Sequence, residues 1–167
     1  MGKHPVISIS LKGINAASYE AAFELTVKTI KGAVEKAGFL KMSDKLDEDE
    51  KKEYRAILDE NMSEATLFWS LKNLSELLEK HYETKVILLI DEYDVPLAKA
   101  FENGYYDKMV FLIRNLLEQT LKTNNSLKFA VMTGCMRISK ESIFTGLNNL
   151  KVLSITDERF DEYFGSV

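Results

Sequence analysis

The hydrophobic residues of this chain recur at two different spacings, which predicts strands separated by helices. Residues 5–11 alternate between aliphatic side chains and serines, a pattern typical of a strand near a sheet edge. Residues 85–91 contain five consecutive aliphatic residues, from Val86 to Ile90, as expected for a strand buried on both faces. Residues 127–133 and 150–155 give the other two predicted strands.

Three longer segments repeat hydrophobic residues every three or four positions. They are predicted as amphipathic helices near residues 18–38, 63–82 and 105–122, with a shorter helix around Pro96. Ser18 and Ser63 are suitable N-caps, because a serine side chain can accept a hydrogen bond from the first helical turn. Residues 44–53 are rich in acids and lysines, which favours a solvated loop or the start of an exposed helix.

This alternation of strands and helices predicts an α/β fold. We expect a three-layer sandwich in which helices cover both faces of a mostly parallel sheet. The strand at 85–91 is expected to be central, flanked by the strands at 5–11 and 127–133, because it is the most continuously apolar. A length of 167 residues with 46% hydrophobic residues fits a single domain.

Composition disfavours several classes of site. A net charge of -4, with acids and bases interspersed, disfavours nucleic-acid binding by electrostatics alone. The single cysteine, Cys135, cannot form an internal disulfide, and with only two histidines the chain offers no zinc-type cluster. No apolar stretch is long enough to span a membrane and no signal peptide is evident, so the sequence predicts a cytoplasmic protein without membrane contact.

Candidate chemistry begins where the central strand ends. The aliphatic run stops at Asp91 and Glu92, and Asp94 follows two residues later. The loops beyond the carboxyl ends of parallel strands are where open α/β sheets bind ligands, and carboxylate oxygens suit Mg²⁺. Because adjacent residues on a strand point to opposite faces, only an immediate turn would let Asp91 and Glu92 serve one site. Asp94 is also well placed to cap the helix that begins near Pro96.

A second group of polar residues follows the strand at 127–133. Thr133 ends that strand, and Arg137 comes four residues later. A hydroxyl can hydrogen-bond an attacking water or a terminal phosphate, and a guanidinium can neutralise charge on phosphoryl oxygens. A threonine ending a strand and an arginine on a solvated loop would be equally ordinary, so their alignment with Asp91 is what makes them candidates.

Residues 88–97, which include Asp91, Glu92, Asp94 and Pro96, resemble the bacterial AAA-ATPase-like family of P-loop proteins, as do residues 133–149 and 157–165. The resemblance implies that Asp91 is the Mg²⁺-coordinating acid of a Walker B motif and that Glu92 activates the attacking water. It implies a polar sensor role for Thr133 and a phosphate contact for Arg137. ATP and Mg²⁺ would be the cofactors of the full-length parent.

The chain departs from the family pattern in one large respect. It contains no Gly-x-x-x-x-Gly-Lys-[Ser/Thr] loop to hold phosphates, so we expect a partial domain over residues 1–167 whose first strand and P-loop are absent. In the family's strand order, the absent strand lies between those at 127–133 and 150–155. The resulting slot predicts self-association or pairing with a separate upstream segment. Nucleic acid would bind only through further domains, such as the nuclease-like domain that family members often carry.

Three functions remain open at this level. The first is the Walker B and sensor portion of an ATP-hydrolysing domain, inactive in isolation because two carboxylates without a P-loop repel a polyphosphate and bind no nucleotide tightly. The second is a non-catalytic interaction module with a degenerate ATPase fold. The third is a Mg²⁺-dependent nuclease using Asp91, Glu92 and Asp94, although its lysine would have to be Lys85, at the far end of the strand.

Overall fold

The structure is a computed structural model and describes residues 2–134. In chain order its elements are β1 (Val6–Ser10), α1 (Tyr19–Glu35), a 3₁₀ helix (Gly38–Met42), α2 (Glu48–Ile57), α3 (Glu64–Tyr82), β2 (Val86–Asp91), α4 (Val95–Glu102), α5 (Tyr106–Leu121) and β3 (Leu127–Met132). The strand predicted at 150–155 and the candidate residue Arg137 lie outside the described residues.

Serine caps define where two of the long helices begin. The Ser18 side chain accepts a hydrogen bond from the main-chain N–H of Ala21, and the Ser63 side chain accepts one from Thr66. Both serines have an extended backbone, the usual conformation of a residue that precedes the first helical turn. Helix α3 ends at Glu83, whose left-handed backbone (φ 57°) is a common helix terminus.

The acidic segment after residue 44 forms a helix with one buried face. Asp47 and Glu50 make a reciprocal capping box at the start of α2. On its inner face Tyr54 is fully buried and donates a hydrogen bond to the carbonyl of Val34, 2.8 Å away. A tyrosine and an isoleucine three residues apart therefore attach this helix to the core. Residues 44–47 form a turn and residues 48–53 are the largely exposed start of α2, as the sequence predicted.

The three strands form one parallel sheet in the order β1-β2-β3, which confirms the predicted central position of β2 and the α/β fold. Val6 is opposite Ile87 and Ser10 is opposite Asp91. On the other side Ile90 is opposite Met132, with an irregularity in register between Val86 and Ile87. The last residues of all three strands consequently reach the same edge of the sheet.

The helices pack on one face of this sheet. Both steps from strand to strand cross the sheet in the same direction, and right-handed crossovers then place every connecting helix on the same side. The covered face carries the buried residues Ile7, Ile9, Val86, Leu88 and Ile90.

The opposite face of the sheet, which we call the open face, comprises Val6, Leu89, Phe129 and Val131 together with the serines of β1. These four apolar side chains are 54%, 36%, 48% and 44% exposed, respectively. Residues 2–134 contribute no second layer of helices over it. None of the helices in this part of the chain is long and apolar enough to cross a membrane.

Neighbouring leucines of β2 test this assignment of faces. Leu88 is fully buried under the helices, whereas Leu89 is on the open face. We expect Leu88→Ala to lower the free energy of unfolding by about 2–5 kcal/mol, because it leaves a cavity in the core. Leu89→Ala is the matched control and should cost about 1 kcal/mol or less. Urea unfolding followed by circular dichroism measures both, and equal losses would contradict the assignment.

Candidate active site at the carboxyl edge of the sheet

Polar residues from all three strands meet at the carboxyl edge of the sheet. Ser10 ends β1, Asp91 ends β2 and Thr133 follows β3. The N–H of Leu11 donates to the carbonyl of Asp91 at 2.9 Å, so the first two strand ends remain paired up to this edge. Asp91, Thr133 and Ser10 are exposed, and the site is a shallow rim open to solvent.

Thr133 is bound to the end of β2 by both main-chain and side-chain hydrogen bonds. Its N–H donates to the carbonyl of Ile90 at 2.9 Å, and its own carbonyl accepts from the N–H of Tyr93 at 3.2 Å. Its hydroxyl donates to Oδ1 of Asp91 and accepts a longer bond of 3.4 Å from the N–H of Glu92. Thr133 and residues 90–93 therefore form one hydrogen-bonded unit, although about forty residues separate them in sequence.

Glu92 turns the chain immediately after β2. Its backbone has φ 53°, and among the described residues only Glu83 is another non-glycine residue with positive φ. Glu83 ends a helix, where this conformation is usual, but Glu92 follows a strand. A left-handed conformation costs a residue with a side chain about 1–2 kcal/mol. This turn is what takes Glu92 off the extended path that would have pointed it away from Asp91.

Tyr93 and Asp94 support the turn from inside the protein. They are 6% and 2% exposed, and burial, with a smaller contribution from the Asp94 charge, raises the pKa of the Tyr93 phenol. Asp94 occupies the N-cap position of α4, as its sequence context predicted, but its side chain makes no capping hydrogen bond. Gly134 lies against both residues: a Cβ there would be 2.8 Å from the Tyr93 ring and 2.9 Å from Oδ1 of Asp94. A glycine is needed here because of close approach.

The exposed edge carries negative charge that the described residues do not neutralise. Neither Asp91 nor Glu92 forms a salt bridge within residues 2–134. Over the same residues there is no group of three or more acidic, histidine or cysteine side chains positioned to hold a metal ion. The arrangement thus offers one or two carboxylates to a cation, which suits Mg²⁺ when phosphate and water complete its coordination.

Sequence reasoning identified Asp91, Glu92 and Thr133, and the fold brings these three together. It overlooked Ser10, which the sequence pattern assigned only to an exposed strand face. The available signal was its place as the last polar residue of a strand parallel to β2. The close approach of Gly134 to Tyr93 and Asp94 had no sequence signal, because it depends on the distance between two loops.

Comparison with known proteins decides the family. Residues 1–144 match the family described as "Predicted AAA-ATPase". The chain belongs to this AAA-ATPase-like family. Membership agrees with the parallel α/β architecture, and the matched region includes the whole described carboxyl edge.

One curated relative matches only part of the chain. The AAA-ATPase-like chain is 31% identical over 90 residues to an "Uncharacterized protein in vnfD 5'region" of Azotobacter chroococcum mcd 1. The match covers 48% of this chain and 16% of the relative. No solved structure matches significantly.

The close approach at Gly134 predicts opposite effects for two glycine substitutions. Gly134→Ala should destabilise the protein by about 1–3 kcal/mol, because its methyl group must displace buried parts of Tyr93 or Asp94. Gly32→Ala is the control: it lies within α1 with nothing within 4 Å of the added carbon. That change should stabilise by about 0.5–1 kcal/mol through helix propensity. Chemical unfolding of both variants gives the signs, and a neutral Gly134→Ala would show that the loops are loosely packed.

Proposed function

We propose that this chain supplies the magnesium-binding and water-activating half of an ATP-hydrolysing site. The observation that carries the proposal is the hydrogen-bonded unit of Asp91, the Glu92 turn and Thr133 at the carboxyl edge of a parallel sheet. Ligands of open α/β sheets bind beyond this edge. Family membership supports the same reaction class, hydrolysis of a nucleoside triphosphate.

Asp91 is the proposed magnesium ligand. A carboxylate has about four lone-pair positions, and the hydroxyl of Thr133 uses one of them on Oδ1. The remaining positions can face a hydrated Mg²⁺, which typically takes one or two protein carboxylates and fills its coordination with water and phosphate oxygens. The bond from Thr133 also limits rotation of the carboxylate.

Glu92 is the proposed base that orients and deprotonates the attacking water. Its left-handed backbone supports this role, because a strained conformation in a non-glycine residue persists only where the surroundings enforce it and is frequent at functional sites. Thr133 is the proposed sensor, since a hydroxyl already bonded to Asp91 can exchange that partner for a phosphate oxygen. Arg137, outside the described residues, keeps its predicted role as a phosphate contact.

The sequence lacks the loop that supplies most of the phosphate binding in P-loop ATPases. That loop is glycine-rich, and its main-chain N–H groups and lysine supply most of the attraction for a triphosphate. We therefore expect the chain alone to bind ATP weakly and hydrolyse none. An upstream strand, P-loop and helix from the parent protein would complete the site.

The open face supports such an upstream segment. A strand paired to the outer edge of β3 and connected to β1 would cross the sheet in the direction opposite to the two described steps. A right-handed crossover then places its helix on the face that carries Leu89, Phe129 and Val131. The same arrangement brings the loop between that strand and helix to the carboxyl edge, beside Thr133 and one strand away from Asp91.

The geometry disfavours the nuclease alternative. That mechanism needs Asp91, Glu92 and Asp94 to share metal ions, whereas Asp94 is buried beneath the turn against Gly134. The non-catalytic module keeps one supporting observation, the absence of a P-loop from this sequence. The turnover experiment below distinguishes it from an ATPase half-site.

Glu92→Gln tests the water-activating role in the protein extended by its natural upstream sequence. We expect ATP turnover to fall at least about 100-fold, because the amide cannot accept the water's proton, while ATP binding is retained. The matched control is Glu53→Gln on the exposed side of α2, which should leave turnover unchanged. Phosphate release and nucleotide affinity are measured for both. Unchanged turnover in Glu92→Gln, or no nucleotide binding by the extended protein, would contradict the proposal.

Val131→Asp tests whether the open face is covered in the extended protein. In residues 1–167 alone the substitution should alter the free energy of unfolding by less than about 1 kcal/mol, because Val131 is 44% exposed. In the extended protein the same carboxylate would be buried without a partner, and we expect a loss of about 3 kcal/mol or more. Thermal unfolding of the four proteins gives the comparison. Equal losses in both backgrounds would argue against an upstream helix on this face.

A further inference from the structure

A cleft lies beside the outer edge of β1, near the amino-terminal end of the strand and away from Asp91. Its volume is about 140 Å³, and four consecutive residues, Pro5 to Ser8, form one wall. The other wall comes from the end of α1, the 3₁₀ helix and α3. Pockets for nucleotide-sized ligands run to about 300–1,000 Å³, so this cleft has room for a single large side chain.

The edge of β1 next to the cleft presents main-chain hydrogen-bonding groups. The carbonyl of Pro5 accepts from Ile87 and the N–H of Leu11 donates to Asp91, so the odd-numbered residues of β1 face β2. In a parallel ladder the main-chain groups of the intervening residues, including Val6 and Ser8, then point away from β2. Within residues 2–134 no further strand pairs with this side of β1.

Exposed aromatic residues surround the mouth of the cleft. Phe39 is 41% and Tyr82 is 48% exposed, and their rings pack edge to face with centroids 5.7 Å apart. Apolar surface that is grouped beside a concave site favours the burial of an incoming aliphatic or aromatic side chain.

The charge at the cleft favours an acidic ligand. Lys36, at the end of α1, is the only charged residue in its wall, and no carboxylate among residues 2–134 lies within salt-bridge distance of it. The neighbouring Glu35 lines a different groove, together with Lys28 and Lys31. A carboxylate on a bound segment would therefore find an uncompensated ammonium group at the cleft.

We propose that the cleft and the outer edge of β1 bind an extended, acidic segment of a partner protein. The segment adds to the sheet as a strand beside β1, which supplies affinity through main-chain hydrogen bonds. One of its aliphatic or aromatic side chains fills the cleft beside Phe39 and Tyr82, and a carboxylate next to it pairs with Lys36. The interaction is independent of ATP hydrolysis, because it uses none of Asp91, Glu92 and Thr133.

Fluorescent peptides test the proposal directly on the protein. The probe is an octapeptide that alternates leucine and glutamate, and its counterpart replaces each glutamate by lysine. Fluorescence anisotropy should show saturable binding of the acidic peptide, at least about tenfold tighter than the basic one. A third peptide has the acidic sequence with alternate main-chain nitrogens methylated, and it should not bind, because methylation removes the donors that pair with a strand edge. Equal binding of the methylated peptide, or no binding of the acidic one, would overturn the proposal.

A charge reversal separates the cleft from general electrostatic attraction. Lys36→Glu should weaken the acidic peptide about tenfold and strengthen the basic one. Lys28→Glu is the matched control, because it changes the net charge equally on the same helix but faces the other groove. It should leave both affinities within about twofold. Equal effects of the two substitutions would overturn the proposal. A dimer in sedimentation that Ser8→Pro dissociates would also overturn it, because a second copy of the chain would then occupy this edge.

Discussion

The main-chain hydrogen bonds that hold β2 between β1 and β3 set the geometry of the rest of the molecule. Because all three strands are parallel and their carboxyl ends are aligned, the polar residues at those ends reach one edge, where Asp91 is opposite Ser10 and next to Thr133. The same pairing puts Leu88 and Ile90 under the helices and turns Leu89 toward the open face. A shift of one residue in register would exchange these two faces and separate Asp91 from Thr133.

The direction in which the chain crosses the sheet explains why its two faces differ. Two successive crossovers in the same direction leave one face of the sheet covered by helices. On the other face Val6, Leu89, Phe129 and Val131 are partly exposed. The two outer edges of the described sheet also differ. β3 is apolar except for Lys128, whereas β1 carries serines and lies beside a small cleft with one lysine.

The carboxyl edge combines a rigid unit with an exposed pair of acids. Thr133 is hydrogen-bonded to Ile90, Asp91, Glu92 and Tyr93, so Thr133 and the two acids should move together. The turn at Glu92 has an unfavourable backbone conformation and is held by the packing of Tyr93 and Asp94 against Gly134. This is the relation expected of a proposed catalytic base: the packed residues behind it supply the stability that its own conformation lowers.

The sequence by itself determined the three strands and the longer helices of the described residues, the central place of β2 and the two acids at its end, because hydrophobic spacing and serine caps are local properties of the chain. It left open whether residues 44–53 were helical, and the buried Tyr54 and Ile57 resolved that through contacts with distant segments. Only the tertiary structure decided that Glu92 adopts a left-handed turn, that Thr133 bonds to Asp91, and that a cleft opens beside β1. Those features depend on distances between residues far apart in sequence, and no local pattern of residues encodes such distances.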